Sequence, residues 1–513
     1  MLRWAWSASG SCAACAYLWI GAAAKPHIIF HIIDDWGFHD IGFRSPEMQT
    51  PTLDRFHQQG ITLEHYYVLP TCSPSRATFL TGRMPVHTGL HSKLPYHEAR
   101  GLPLDEVLLP SYLQEEGYRT HAVGKWHLGF HRSEYTPTFR GFESFYGYYA
   151  GGQGYFTHQL DGIFDLHRQP QQNCGQNCSQ VAWNAEGRYS TKLFTEEAIH
   201  IIRRHHREEP EKPLFLWQAW QNVHAPIQAG KLFIHRLRDR IADPTRRIHA
   251  AMVSAVDAAI GRINDVLAEE GMLQNSIVIA TTDNGGAIHE CMPNGASNYP
   301  LRGGKCSVWE GGTRGTALIY APSVLPYQGL FRGLFHAADW LPTLLCAAGA
   351  KSYQVSKPLD GINHWPALQQ NTSSTRKDVY YGTADVVVGV HGPALRDAAG
   401  WKLVLNGGGG HGDWTPHPVK PPSRRLEDAA RRARGASRYL TSKRKSYPQL
   451  FDLQGDPSET TDLARQRPDV AFKLRLRLRH WRASGVNGAP LEDCPDFSPR
   501  RSGKRKWMGP WCE

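Results

Sequence analysis

Three apolar runs in the first 300 residues have the pattern of strands that are buried on both faces. They span residues 27–33, 214–217 and 276–282, and polar residues follow each of them. A helical pattern lies between the second and third runs, at 250–267. Its apolar face comprises Met252, Val253, Val256, Ile260, Ile263 and Val266. Apolar strands that alternate with helices predict an α/β domain, with a mixed, mostly parallel sheet between helices.

The pattern changes beyond about residue 370, where short strand-like segments are separated by turns rich in Gly and Pro. These segments lie at 379–381, 401–405 and 449–453. Short strands joined by turns predict a smaller domain with an antiparallel sheet. We therefore expect a large domain at 25–370 and a C-terminal domain at 371–513.

The first 24 residues have the layout of a secretory signal peptide. A basic residue precedes a mainly apolar stretch, and Gly21 to Ala24 supply the small residues of a cleavage site. No apolar run reaches the roughly 20 residues that a membrane-spanning helix needs, so we predict no transmembrane segment. Sequons at Asn177 and Asn371 are candidate N-glycosylation sites. The sequence thus predicts the secretory pathway, with an extracellular or lysosome-like destination.

The chain has ten cysteines, and an oxidising compartment would favour disulfides between them. The two cysteines of the signal peptide would leave with it. Cys174 is close enough in sequence to bridge Cys178 locally. Cys494 and Cys512 could staple the C-terminus, although spacing alone does not fix the pairing.

Composition and charge exclude several classes of protein. A chain of 513 residues with 41% hydrophobic and 20% charged residues is globular, which excludes disorder, collagen and coiled coil. The net charge is +11, and ten Lys or Arg residues lie between Lys420 and Lys445. They lie in Pro-, Ser- and Ala-rich sequence instead of on a folded recognition element, so we predict no nucleic-acid partner. The segment 420–446 is either a solvated, mobile loop or an electrostatic contact for a polyanion such as a sulfated glycan.

Polar side chains follow the predicted strands of the large domain directly. Asp34 and Asp35 follow the first strand, Asp283 and Asn284 follow the third, and His224 comes shortly after the second. Ligands bind open α/β sheets at the carboxyl ends of the strands, so we expect one shared site. Carboxylate and amide oxygens suit Ca²⁺ better than a transition metal. One such acid alone would more often cap a helix, but several converging acids need a cation.

A cysteine lies at the N-terminus of a predicted helix within residues 71–83, TCSPSRATFLTGR. Pro74 suits the first turn of a helix and Gly82 its end. The free backbone N–H groups at a helix N-terminus favour an anion beside Cys72. The alternative for this cysteine is a disulfide. Cys-x-Pro-x-Arg alone would occur by chance in about one chain in fifteen, but the continuation to Arg83 is far more specific.

With this segment the sequence resembles the type I sulfatases, in which the cysteine is converted to formylglycine. Five further motifs occur in the order of that family: GKWHLG at 124–129, VHAP at 223–226, TDNGG at 282–286, LRGGK at 301–305 and WEGG at 309–312. The resemblance extends from about residue 25 to 345 and is closest to arylsulfatase B and arylsulfatases I and J. It implies an alkaline-phosphatase-like large domain that acts as the catalytic sulfatase domain.

The resemblance also implies a nucleophile and a metal. Cys72 would be converted by the formylglycine-generating enzyme, and its hydrated aldehyde would touch Ca²⁺, attack sulfur and form a covalent sulfo-enzyme intermediate. The expected metal ligands are Asp34, Asp35, Cys72, Asp283 and Asn284.

Five basic residues complete the site that the resemblance implies. Arg76 would hold the modified side chain, and Lys125 would neutralise the sulfate oxygens together with Lys305. His224, with Lys305, would protonate the departing alcohol. His127 would take a proton from the second hydroxyl so that the sulfate is released. Four other histidines are candidates for the substrate cleft: His87, His91, His97 and His289.

The expected reaction is hydrolysis of the sulfate ester of a small molecule, a sulfated sugar or a glycosaminoglycan. Gly304 stands where arylsulfatase B relatives usually have Arg, and the segment 97–100 is shorter than theirs, so the resemblance does not transfer a specific substrate. One alternative is a phosphodiesterase or phosphonate monoester hydrolase of the same superfamily, against which Cys72 argues. The other is an inactive homologue that binds sulfated glycans. No feature of the sequence indicates an oligomeric state.

Overall fold

The computed structural model describes residues 9–11, 24–175, 178–288, 291–350, 352–382, 392–409, 413–415 and 447–512. Several predicted features lie outside these residues: most of the signal peptide, Asn177, His289 and the segment 420–446.

The described strands alternate with helices through the large domain. The strands are β1 Ser9–Ser11, β2 His27–Ile33, β3 Ile61–Tyr67, β4 Arg119–Lys125, β5 Ser144–Tyr148, β6 Gln159–Leu160, β7 Ile163–Phe164, β8 His167–Gln169, β9 Gln180–Val181, β10 Leu214–Ala219, β11 Ser276–Thr282, β12 Ala317–Tyr320, β13 Gly329–His336, β14 Ser352–Gln354, β15 Asp378–Tyr381, β16 Ala394–Asp397, β17 Trp401–Val404, β18 Gln449–Asp452, β19 Arg500–Ser502 and β20 Arg505–Trp507. The α-helices are α1 Pro51–Gln59, α2 Cys72–Thr81, α3 Pro85–Thr88, α4 Leu109–Glu115, α5 Ser190–Glu208, α6 Lys231–Arg236, α7 Pro244–Glu269, α8 Glu310–Thr313, α9 Trp340–Ala347, α10 Trp365–Gln370 and α11 Pro468–Ala483.

A ten-stranded sheet forms the centre of the large domain, in the order β13-β3-β12-β11-β2-β10-β4-β5-β8-β9. Its middle strands β11, β2, β10, β4 and β5 are all parallel, whereas β12, β8 and β9 run antiparallel to their neighbours. The predicted α/β architecture with a mixed, mostly parallel sheet is confirmed.

The central strand β2 shows why this sequence forms a sheet between two helical layers. Ile28, Phe30 and Ile32 lie in an apolar layer with α2, α4 and α9. Ile29 and Ile33 point to the opposite layer, which contains α1, α5 and α7. A continuous apolar run is therefore buried on both faces, as expected for a parallel sheet covered by helices.

The C-terminal unit contains the antiparallel sheet β15-β16-β17-β18, as predicted. Helix α11 packs on this sheet through Val470, Leu474 and Leu478, which recur every four residues on one face. The chain then returns to the large domain, where Trp507 in β20 pairs with Phe164 in β7.

Three disulfides join described residues. Cys174–Cys178 and Cys494–Cys512 confirm pairings that the sequence suggested, whereas Cys291–Cys306 was not predicted. No helix among the described residues is long and apolar enough to span a bilayer.

Candidate active site

The candidate site begins with four polar residues at the carboxyl ends of two adjacent parallel strands. Asp34 and Asp35 follow β2, while Asp283 and Asn284 follow β11; all four are fully buried. The Asp35 backbone N–H donates to Asp283 Oδ1 at 3.3 Å, and Asn284 Nδ2 donates to Asp35 Oδ1 at 2.7 Å. The register of the two strands thus brings together side chains that are about 250 residues apart in sequence.

Helix α2 presents Cys72 to this cluster. The helix begins at Cys72, after Thr71 in extended conformation, and ends at Thr81. Gly82 follows with a φ of 65° and caps the last turn. Cys72 Sγ lies 3.7 Å from Asp34 Oδ1, and among the described cysteines it is the one without a disulfide. Burial raises the pKa of the Cys72 thiol to about 12, although Lys125 opposes the shift. The unmodified thiol is therefore protonated at neutral pH and is a weak nucleophile.

Two buried cations neutralise one side of the cluster. Lys125, the last residue of β4, places Nζ 2.5 Å from Asp34 Oδ2. Arg76, one turn into α2, donates from Nε and Nη2 to Asp283 Oδ2 at 3.0 and 2.8 Å. Its Nη1 donates to the Lys125 carbonyl at 3.0 Å. Burial disfavours the charge of Arg76, but Asp283 and Asp34 raise its pKa above the ordinary value.

Lys305 supplies a third cation from a Gly-rich loop. Its Nζ lies 2.7 Å from Asp35 Oδ1, and its backbone N–H donates to the Gly286 carbonyl at 3.1 Å. Burial opposes the charge, but Asp35 raises the pKa of Lys305, so the amine is cationic at neutral pH. The neighbouring residue Cys306 is bonded to Cys291, which ties this loop to the chain that follows Asn284.

The two candidate acid–base histidines are buried and have defined hydrogen bonds. His127 Nε2 lies 3.0 Å from the Leu94 carbonyl, while Nδ1 has no partner among the described residues. Burial, reinforced by Lys125, lowers the pKa of His127 well below its ordinary value. The ring is therefore neutral, with its proton on Nε2 and a free lone pair on Nδ1. His224 Nδ1 donates to the Ala225 carbonyl at 2.7 Å, and Nε2 faces Asp35 Oδ2 at 3.8 Å.

Asp34 and Asp35 remain ionised despite their burial. Burial would raise the pKa of Asp34, but Lys125, His224 and Arg76 together lower it below the ordinary range. For Asp35, the corresponding lowering of the pKa comes from Lys305 and His224. The site thus alternates negative and positive charges; Asp34 and Asp35 are fully buried, whereas the side chains of Lys305 and His224 keep a small exposed fraction.

The cluster has the donors that a hard divalent cation needs. Ligand atoms of Asp34, Asp35, Cys72 and His224 lie within 4.8 Å of one another. Asn284 Oδ1 is buried and has no hydrogen-bond partner among the described residues, which is costly unless a cation or water occupies the space beside it. These residues fit a metal ion, and oxygen atoms form most of the donor set.

Two glycines that the sequence did not single out lie against the two imidazoles. A Cβ on Gly151 would lie 2.7 Å from His127 Cε1, and one on Gly152 would lie 3.0 Å from His224 Cε1. The doublet follows β5, and its only signal in the sequence is an Ala-Gly-Gly run at the end of a strand.

The additional histidines are placed as follows. His87 binds Asp360 at 2.8 Å and Ser484 at 2.9 Å, so its contacts lie outside the catalytic cluster. The His97 ring packs edge-on against Tyr96, with 5.3 Å between the ring centres. The side chain of His91 lies beside Gly488.

Known proteins resemble this chain over nearly its whole length. The Sulfatase family model matches residues 26–350. The chain is 35% identical over 512 residues to arylsulfatase J of Mus musculus, covering 95% of this chain and 80% of the relative. It is 31% identical over 386 residues to N-acetylgalactosamine-6-sulfatase of Rattus norvegicus, covering 70% and 69%. The crystal structure of Ps i-CgsB in complex with k-i-k-neocarrahexaose matches with a TM-score of 0.73 at 26% identity, covering 91% of this chain and 95% of that chain.

The resemblance first seen in the short motifs is thus confirmed over the whole large domain and most of the C-terminal unit. The chain belongs to the sulfatase family, the enzymes that hydrolyse sulfate esters.

Proposed function

We propose that this protein hydrolyses the sulfate ester of a sulfated sugar, with formylglycine made from Cys72 as the nucleophile and Ca²⁺ as the metal. The observation that carries the proposal is the position of Cys72. It is free of disulfides, starts a helix and lies between ionised carboxylates and buried cations.

The converted and hydrated residue 72 would supply an oxygen nucleophile that a protonated thiol cannot provide. Calcium would supply positive charge beside that nucleophile and the sulfate, with Asp34, Asp35, Asp283 and Asn284 as its protein ligands. The support for calcium is the oxygen-rich donor set and Asn284 Oδ1, which is buried and bonds to none of the residues that the structure describes.

The buried cations are suited to bind a sulfate group. A sulfate monoester is an anion, and Lys125 and Lys305 each place an ammonium group at the edge of the carboxylate cluster. In a site that excludes water, such fixed charges stabilise the charge that develops in the transition state. Arg76 is fully buried as well, and its two bonds to Asp283 fix the position of that carboxylate.

The two imidazoles divide the proton transfers. His127 Nδ1 has no hydrogen-bond partner among the described residues and would accept a proton from the hydrated residue 72. His224 Nε2 lies on the side of Asp35 and Lys305. Because Nδ1 bonds the Ala225 carbonyl, Nε2 carries a proton only in the imidazolium form, and this cation would donate its Nε2 proton to the departing alcohol and become neutral. A sugar alcohol is a poor leaving group, so this donation matters most for the proposed substrates.

We also propose that the protein matures in the secretory pathway, where the formylglycine-generating enzyme would modify Cys72. Three disulfides among the described residues support this compartment. Asn371 is exposed at the end of α10, where a glycan could be attached.

The test is turnover of matched aryl esters by the purified protein from a host that makes formylglycine. We expect 4-nitrophenyl sulfate to be hydrolysed faster than an aryl phosphodiester or phosphonate monoester, and the opposite order would overturn the proposal. A screen of sulfated monosaccharides and glycan ends would then identify the sugar. Binding of these sugars without turnover would instead indicate an inactive homologue.

A further inference from the structure

The loop that carries Lys305, defined here as residues 302–310 and called the lysine loop, contacts the C-terminal unit along its length. The Gly303 backbone N–H donates to the Asp413 carbonyl at 2.8 Å. The Val308 N–H donates to the Gly408 carbonyl at 2.7 Å. The backbone of the C-terminal unit thus fixes the loop on both sides of the lysine.

Side chains reinforce these backbone contacts. The Arg302 guanidinium lies 3.6 Å from the centre of the Trp309 ring and 4.8 Å from that of Trp414. Trp309 Nε1 donates to the Gly409 carbonyl at 3.1 Å. The Trp309 ring also packs so closely on Gly408 that a Cβ there would lie 2.0 Å from it. The aromatic stack therefore ties both ends of the loop to the same unit.

A fully buried group of charged side chains anchors the C-terminal end of the lysine loop. Lys402 Nζ, from β17, lies 2.9 Å from both Glu310 Oε1 and Glu459 Oε1. The Glu310 backbone N–H donates to Glu459 Oε2 at 2.7 Å, and the Tyr67 hydroxyl donates to Glu310 Oε2 at 2.7 Å. The Lys402 and Glu310 side chains, and that of Glu459, are inaccessible to solvent. Removal of Lys402 alone would leave the Glu310 carboxylate buried without this cation, so the pair is strongly favoured once it has formed.

We propose that Lys402 is a positioning residue for Lys305. Through Glu310 and Glu459 it anchors the end of the lysine loop, so that the Lys305 amine stays on Asp35 and in reach of the sulfate. The C-terminal sheet is then part of the catalytic apparatus. This inference rests on the role given to Lys305 in the proposed function.

A charge-neutral double variant, Glu310→Gln with Lys402→Met, tests the inference because it removes one positive and one negative charge together. The glutamine side chain introduced by Glu310→Gln keeps an oxygen that can accept from the Tyr67 hydroxyl. Glu459 keeps its bond from the backbone N–H of residue 310, and it can stay protonated because burial raises its pKa to about 7. We therefore expect the double variant to fold. The matched control is Asp339→Asn with Arg376→Met, which removes another buried ion pair between the large domain and the chain beyond residue 370. None of the described hydrogen bonds of this pair involves the lysine loop.

The first readout is hydrogen exchange of the lysine-loop amides, including that of Lys305, which needs no activity. We expect these amides to exchange roughly tenfold faster in the Glu310→Gln, Lys402→Met double variant than in the parent, and at the parent's rate in the control. Unchanged protection of these amides from exchange in the double variant would overturn the inference. Because this readout is independent of turnover, it stands even where the proposed function fails.

The second readout is kcat/KM for aryl sulfates whose leaving groups differ in basicity. A displaced Lys305 should lower kcat/KM roughly tenfold, with a larger loss for the more basic leaving groups, and Lys305→Met should show the same pattern. The inference would also be overturned if kcat/KM fell by the same factor for every leaving group and if the control variant, at an equal loss of Tm, showed the same fall. Lys402 would then have a purely structural role.

Discussion

Gly151 and Gly152 offer a way to displace each candidate acid–base histidine separately. A Cβ added at Gly151 would lie 2.7 Å from His127 Cε1 and 2.8 Å from Nε2, whereas ordinary contact starts at 3.4 Å. The backbone of Gly151 is not in the left-handed region, so alanine brings no conformational strain there. Its methyl group must therefore push the imidazole, whose Nε2 is bonded to the Leu94 carbonyl.

The expected shift of the His127 ring is about 0.7 Å, the difference between the 2.7 Å to Cε1 and the 3.4 Å at which ordinary contact starts. A misplacement of about 1 Å can cost roughly 100-fold in rate, so Gly151→Ala should lower kcat by roughly 10- to 100-fold. At Gly152 the clash is milder, with 3.0 Å to His224 Cε1. Gly152→Ala should therefore affect 4-nitrophenyl sulfate little and sugar sulfates more, because nitrophenolate leaves without a proton.

The assay is steady-state turnover of 4-nitrophenyl sulfate and a sulfated sugar, with thermal unfolding of each variant. Gly230→Ala is the control, because a Cβ there would meet just one of the described residues, Phe233, whose ring lies 3.6 Å away. Its kcat should equal that of the parent. If Gly151→Ala has the kcat of the parent, His127 does not act from the position assigned to it.

Three further predictions concern the nucleophile, the metal and pH. Cys72→Ala should abolish turnover and leave Tm within a few degrees of the parent, because Cys72 forms no disulfide. Asp283→Asn should lower bound calcium and kcat together, as measured by elemental analysis and turnover; alanine is less suitable there because it would also remove the oxygen that accepts from Arg76. Burial raises the pKa of Glu459 from 4.5 to about 7, although Lys402 opposes it, so the folded state disfavours its ionised form. Protonated Glu459 should therefore add on the order of 3 kcal/mol to the free energy of unfolding below pH 4.5, and this contribution should be lost as the pH rises to about 7.

Each of these predictions has an outcome that would contradict it. Residual turnover near the parent rate in Cys72→Ala would exclude Cys72 as the precursor of the nucleophile. Unchanged calcium content in Asp283→Asn would exclude the ligand assignment, with Asp257→Asn as a control at a buried carboxylate on α7. Glu459→Gln should flatten the unfolding free energy between pH 4.5 and 7 relative to the parent, and an unchanged slope would contradict the assignment.

The parts of the fold that local patterns encode were predictable. The apolar runs at 27–33 and 276–282 became β2 and β11 with the predicted bounds, because strands buried on both faces show continuous hydrophobicity. Helix α2 begins at Cys72 and ends at Thr81, before Gly82, because the sequence supplies both a proline near its start and a glycine for its left-handed cap. The cluster of strand-end acids followed from the same logic, since parallel strands bring their carboxyl ends to one edge.

The parts that depend on contacts distant in sequence were not predictable. Nothing near Lys402 indicates that it meets Glu310, 92 residues earlier, in a buried ion pair. The antiparallel strand β12 and the return of the tail to β7 likewise depend on packing between distant segments. Cys291–Cys306 was missed because an even number of cysteines leaves many pairings open.

The most direct test of the whole account is mass spectrometry of the peptide that contains Cys72, from protein made in a host with the formylglycine-generating enzyme. The account predicts that most of residue 72 carries an aldehyde in place of the thiol, and that the converted fraction matches the fraction of active enzyme. An intact thiol in fully active protein would contradict it.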